Sequence, residues 1–246
     1  MSRRAELAAQ LLEVPDDEVE DWLEARSGLP GPRANLELVA AAGDVLPERH
    51  LLAWAAMPPD QGLPGTAREF LPVVGVAGMG RLLVEAGDDP QVRADLLEAL
   101  RAHAGDARWR VREAVAIALQ RWGTVHMDAL LEAMAGWVSG APSRLVQRAV
   151  VAALCEPALL RQPPVVERVL GILDGITGTL VAAPDRRTDG FRVLRQALGY
   201  GWSVVIAACP PSGWARFGRW VDCDDPDMAW MVRENLRKRR MPPRPG

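Results

Sequence analysis

The stretch Asp106-Ala-Arg-Trp-Arg-Val-Arg-Glu-Ala-Val-Ala-Ile-Ala-Leu-Gln120 decides how this chain folds. Val111, Val115 and Leu119 return every fourth residue and supply apolar ridges, while Ala114, Ala116 and Ala118 leave room for a neighbouring helix. Much of the pattern recurs as Asp227-Met-Ala-Trp-Met-Val-Arg-Glu-Asn-Leu236, which shares the frame Trp-x-Val-Arg-Glu. In both copies an Asp stands six residues ahead of an Arg, Asp106 before Arg112 and Asp227 before Arg233, and Asp189 before Arg195 repeats that spacing. The first and last copies lie 121 residues apart, room for three periods of about 40 residues. The chain therefore reads as an array of repeated helical units.

Working outward, the residues on either side of the anchor are also helical. Thr66-Ala-Arg-Glu69 has the form of a capping box opening a helix over 67–85, and 90–103 follows it. Helices over 108–122, 125–138, 142–154 and 163–180 come next. Val146 to Leu154 superposes on Val111 to Leu119, with Gln147 in the place of Arg112. Tyr200 to Ala208 is apolar enough for a strand, but its position between helices predicts a helix, kinked around Gly199 and Gly201. Helices over 213–221 and 226–239 close the array. Upstream, short helices over 2–12, 16–26, 36–42 and 48–57 are broken by Gly and Pro. The expected organisation is an irregular helical part over 1–60 packing on the array, the repeats over 66–239, and a disordered tail over 240–246.

Composition sets limits on function. Apolar residues make up 49% and charged residues 25%, enough to bury a core. Nine Trp stand against three Phe and one Tyr, and Lys238 is the sole lysine. The net charge of −3 is uneven: residues 1–60 hold 5 basic and 12 acidic side chains, residues 143–246 hold 16 basic and 10 acidic. Cys155, Cys209 and Cys223 are too few and too scattered for a disulfide framework or a metal site, so no cofactor is expected. No signal peptide and no membrane-spanning run is present, and the expected setting is the cytoplasm.

The Asp-x5-Arg pattern, with Val before the Arg and Ala or Leu at helical spacing after it, resembles the HEAT repeat over about residues 66–239. That resemblance implies an all-α fold: an α-solenoid of antiparallel helix pairs wound into a right-handed superhelix. It also implies a structural ladder, in which Asp106, Asp189 and Asp227 in the turns meet Arg112, Arg195 and Arg233 on second helices of adjacent units. More distantly, the chain is similar in size and helical architecture to bacterial DNA alkylation repair glycosylases. Their aromatic-plus-carboxylate arrangement would fall here on Trp109 with Glu113, Trp230 with Glu234, or Trp220 with Asp224. Each pair is four residues apart and so shares a helix face.

The residues bearing on function are few. Arg144, Arg148, Arg192 and Arg237 are free of the ladder assignment and form a candidate anion or partner surface, together with Trp109 and Trp230. Trp109 and Trp230 also suit packing between units, since large aromatics dominate cores. The glycines of Gly75-Val-Ala-Gly78-Met-Gly80 have no Gly-Lys-Ser/Thr after them, and letting helices approach suits them better than holding phosphate. Asp222-Cys-Asp-Asp-Pro-Asp227 lacks the glycine and distal glutamate of a calcium loop and suits helix capping. His50, His103 and His126 are scattered, and no catalytic motif emerges. The expected function is a non-enzymatic scaffold or adaptor that holds a protein partner on a concave surface. A DNA-binding protein, related to the alkylated-base glycosylases, is the alternative.

Overall fold

A computed structural model describes residues 2–87, 89–140 and 142–244. Within them the chain is all-α, with no strand. The helices are α1 (Arg3–Leu12), α2 (Val19–Arg26), α3 (Leu36–Val45), α4 (Glu48–Ala55), α5 (Phe70–Glu85), α6 (Pro90–His103) and α7 (Trp109–Gly123). They continue as α8 (Met127–Trp137), α9 (Arg144–Leu154), α10 (Pro163–Val181), α11 (Asp189–Ala208), α12 (Pro210–Val221) and α13 (Pro226–Leu236). The starts follow local chemistry. Ser2, Asn35, Asp89, Ser143, Thr188 and Asp225 each accept a first-turn amide hydrogen bond. Prolines occupy the first turns of α6, α10, α12 and α13, where no backbone donor is missed.

The chain divides into two compact units, residues 1–122 and 123–246. Each helix of the second unit touches both the next in sequence and the next but one, the contact pattern of stacked helix pairs. In the second unit α9, α11 and α13 form one layer and α8, α10 and α12 the other. Residues 189–208 form one uninterrupted helix, so the apolar run at Tyr200 is helical as its context demands.

In the first unit α1 packs on α3, and α3 and α4 pack on α5. Every residue of α5 from Phe70 to Gly80 is buried. Its glycines serve the approach of other helices. A Cβ on Gly75 would lie 2.4 Å from the Ala55 amide nitrogen, and one on Gly80 2.5 Å from the Ala118 carbonyl oxygen. A Cβ on Gly78 would strike the Leu51 side chain at 2.6 Å. The phosphate-loop look of this stretch is thus a packing seam.

The capping box expected at Thr66 is not formed. Thr66 Oγ1 donates to the Leu63 carbonyl (2.7 Å), and residues 67–69 make a 3-10 turn ahead of α5. Glu69 turns inward because Arg110 meets it there: Nη1 donates to Oε2 at 2.9 Å, and the Gly65 amide donates to the same oxygen at 2.8 Å. Arg110 Nη2 donates to the Gly31 carbonyl (2.8 Å), tying the loop after α2 to α7. Beside it, Arg108 is 1% exposed, pairs with Asp106 Oδ2 at 2.7 Å and donates to the Met57 carbonyl at 2.9 Å.

In the second unit Trp202 is fully buried and donates to Thr177 Oγ1 at 3.1 Å. Gly201 lets α11 approach α9, where a Cβ would come within 2.9 Å of Cys155 Sγ. Burial pushes the Cys155 thiol well above the usual thiol range. Part of the expected tail, residues 245–246, lies outside the described residues. Within them, the Arg240 guanidinium sits 4.4 Å from the centre of the Tyr200 ring.

Candidate functional site

The site starts from one face of α10. Arg168, Gly171, Ile172, Gly175, Ile176 and Thr179 fall at intervals of three and four, so they form a single stripe along the helix. Opposite it, Leu131 and Ala135 of α8 and Val138 just beyond form the second wall. Between them runs an open groove of about 490 Å³. Gly171 and Gly175 shape its floor: a Cβ on either would meet nothing within 4 Å.

One end of the groove is polar. Gln147, on α9 and 2% exposed, lines it with Thr179. Arg144 reaches over both: Nη1 donates to Gln147 Oε1 (2.8 Å) and Thr179 Oγ1 (2.9 Å), and Nη2 to the Thr179 carbonyl (3.0 Å). Gln147 Nε2 donates to the same hydroxyl at 2.9 Å, and that hydroxyl donates to the Ile176 carbonyl at 2.8 Å. Every Arg144 partner described is a neutral oxygen. Burial lowers its pKa, the sign of a cation held without a compensating acid. At the other end Arg168 pairs with Asp128 at 3.0 Å.

The Asp and Arg residues of the repeat pattern are connected differently from their sequence spacing. The Asp106 carboxylate holds Arg108, while Arg112 donates to the Asp106 carbonyl (2.5 Å) and the Ala107 carbonyl (3.2 Å). Asp189 pairs with Arg192 at 3.1 Å. Arg195 reaches Asp227, in the first turn of α13 and 32 residues later, and Arg186 joins them at 3.1 Å from Asp227 and 2.7 Å from Asp225. Arg233 is exposed and makes no ion pair among the described residues. Burial would raise the Asp225 carboxyl, but hydrogen bonds from Arg186 and the Met228 and Asp227 amides outweigh it and hold it below the usual carboxylate range. Asp106 behaves alike: burial raises it, and the Arg108 side chain and amide more than reverse that.

Of the proposed anion surface, Arg144 is bonded to the groove residues Gln147 and Thr179, Arg148 is half-buried on α9, Arg192 is held by Asp189, and Arg237 pairs with Glu234 at 3.1 Å. Trp109 is exposed at 48%, its ring 4.5 Å from the Arg110 guanidinium. Trp230 lies against Gly199, where a Cβ would be 2.9 Å from its ring, with Arg195 stacked on it at 4.5 Å. Trp220 is buried and donates to Asp174 at 2.9 Å rather than pairing with Asp224. Sequence reasoning missed Arg186, Asp225, Arg108 and Arg110 as ion-pair centres, and the groove itself. Asp225 had a signal, since an Asp directly before Pro226 is a helix-start pattern.

Among the described residues no group of three His, Cys, Asp or Glu could hold a metal ion, and no helix is long and apolar enough to cross a membrane. No family model and no curated protein matches the chain. Among solved structures it is similar to a designed armadillo repeat protein in complex with the peptide (KR)4, at 12% identity and a TM-score of 0.41, covering 96% of this chain and 98% of that one. A second designed armadillo repeat protein gives 14% identity and a TM-score of 0.38, over 94% and 97% of the two chains. An engineered protein gives 13% and 0.37, over 96% of each.

Proposed function

We propose that the chain is a non-catalytic helical-repeat scaffold whose second unit holds a segment of a protein partner in the groove between α8 and α10. The observation that carries this reading is the pair of glycines on the groove floor. Glycine inside a helix costs about 0.5–1 kcal/mol relative to alanine. At Gly75, Gly80 and Gly213 that cost accompanies a close helix contact, with a Cβ placed 2.4–2.7 Å from a neighbour. At Gly171 and Gly175 no neighbour among the described residues explains it.

The test is selection of peptides from a displayed random library on the full chain, with counter-selection on Gly171→Trp, which fills the groove. Binders lost on the filled variant are expected. An absence of such binders would end this reading.

The nucleic-acid alternative draws on the 16 basic and 10 acidic side chains of residues 143–246. Against it, Arg192 and Arg237 are paired with acids. Duplex DNA affinity that persists near 0.15 M salt and weakens when these arginines are replaced would favour it, because phosphate contacts make binding steeply salt-dependent.

A further inference from the structure

We propose that the occupant of the α8–α10 groove is an amphipathic helix of about three turns from another protein, carrying a carboxylate that docks on Arg144. This rests on the partner-binding reading and deepens it. Three features define the occupant.

The first is shape. From Arg168 to Thr179 the stripe runs eleven residues along α10, about 16 Å at 1.5 Å per residue, the length of three helical turns. A groove between two helices takes the ridge of a third, read as anchors at i, i+3, i+4 and i+7.

The second is the floor. Gly171 and Gly175 are one helical step of four apart and leave a notch between Ile172 and Ile176, so a partner backbone can come as close as α4 comes to Gly75. The walls are apolar, which suits Leu, Ala or Val on the incoming face.

The third is charge. A guanidinium has five N–H donors in a rigid fork. Those described for Arg144 use both Nη1 hydrogens and one on Nη2, all on neutral oxygens of Gln147 and Thr179. These bonds leave the Nε–H and one Nη2–H, and in a guanidinium the Nε–H shares an edge with an Nη–H. That edge is the geometry a carboxylate accepts with two oxygens. Arg168, at the far end, already has Asp128. The charge without an acidic partner is therefore Arg144, bonded to the lining residue Thr179 at that end, and an acid is its complement.

The test uses two synthetic 14-residue helical peptides with the same Leu/Ala face, one bearing Glu and one bearing Lys at both ends, titrated against the full chain by fluorescence anisotropy. The Glu peptide is expected to bind at least tenfold more tightly than the Lys peptide. Arg144→Glu should reverse that preference, and Arg144→Gln should abolish it. Gly171→Leu should remove binding of both, with circular dichroism and thermal melts confirming that each variant folds. Equal affinity for the two peptides, still lost in Gly171→Leu, would overturn the acidic occupant and leave the partner-binding reading standing. Sedimentation showing a dimer that Gly171→Leu dissolves would also overturn it, making a second copy the occupant. No groove-dependent binding of either peptide, together with a library selection that yields none, would remove both.

Discussion

Alanine at Gly171 and Gly175 should make the isolated protein more stable. A new Cβ at either site meets nothing within 4 Å, and both glycines sit in the middle of α10, so neither clash nor unusual backbone opposes the change. Each replacement then contributes the helix-propensity difference, about 0.5–1 kcal/mol, and the pair about 1–2 kcal/mol. For a unit of about 120 residues the unfolding entropy near the midpoint is about 0.25 kcal/mol per kelvin, so the double variant should melt about 4–8 °C higher. The same substitution at Gly75 must act in the opposite direction. Its Cβ would lie 2.4 Å from the Ala55 amide nitrogen and 2.6 Å from the Leu51 carbonyl oxygen, both backbone atoms that cannot move aside alone. Prying α4 from α5 should cost about 1–3 kcal/mol or more. Circular dichroism melts and urea titrations of the three variants decide the matter. A lower midpoint for Gly171→Ala or Gly175→Ala, or a tolerated Gly75→Ala, would refute the assignment of open space to one seam and packed space to the other.

Other measurements probe the ion pairs. A double-mutant cycle on Asp106→Ala and Arg108→Ala should show coupling of about 1.5–3 kcal/mol, because the pair is buried and carries several charge-assisted hydrogen bonds. The cycle on Asp106→Ala and Arg112→Ala should be closer to additive, since the carbonyl that Arg112 uses survives the first substitution. Asp227→Ala should cost about 1–3 kcal/mol, as Arg195 loses its acid while Arg186 keeps only Asp225; a neutral result would mean that Arg195 finds water. Acid should destabilise the fold through Asp106 and Asp225, whose pKa values are lower folded than unfolded. Their stabilisation is complete above the unfolded value near 3.9 and is lost as pH falls through the folded one, so the urea midpoint should drop as the pH is taken below about 4. Asp106→Asn combined with Arg108→Met should flatten that drop, and an unchanged profile would assign it to other carboxylates.

The helical class and most helix positions were legible because period and punctuation are local. Val111, Val115 and Leu119 define a buried face whatever lies opposite, and Pro163 or Pro226 announces a start. Partner choice was not legible. Asp106 stands six residues ahead of Arg112, yet its carboxylate holds Arg108, two residues away, and Arg112 takes the Asp106 carbonyl instead. Glu69 shows the same limit: Thr66 and Glu69 satisfy the capping pattern, but a buried Arg110 attracts the acid more strongly than an exposed amide. The groove was hidden for a related reason. Gly171 and Gly175 look in sequence like the packing glycines of α5, and only the distance to a neighbour separates a filled notch from an empty one.

Cys155 turns the seam between α9 and α11 into a place where motion can be timed. Its sulfur is enclosed, with Gly201 passing directly over it, and the thiolate that alkylating reagents require is suppressed there. Cys209 and Cys223 are only partly covered, so a reagent reaches them first. Modification of Cys155 must await separation of the two helices, and its rate is then the intrinsic thiol rate scaled by the fraction of time the seam stands open. A native sulfur thus reads the opening equilibrium of this layer directly, without a label whose bulk would itself force the helices apart.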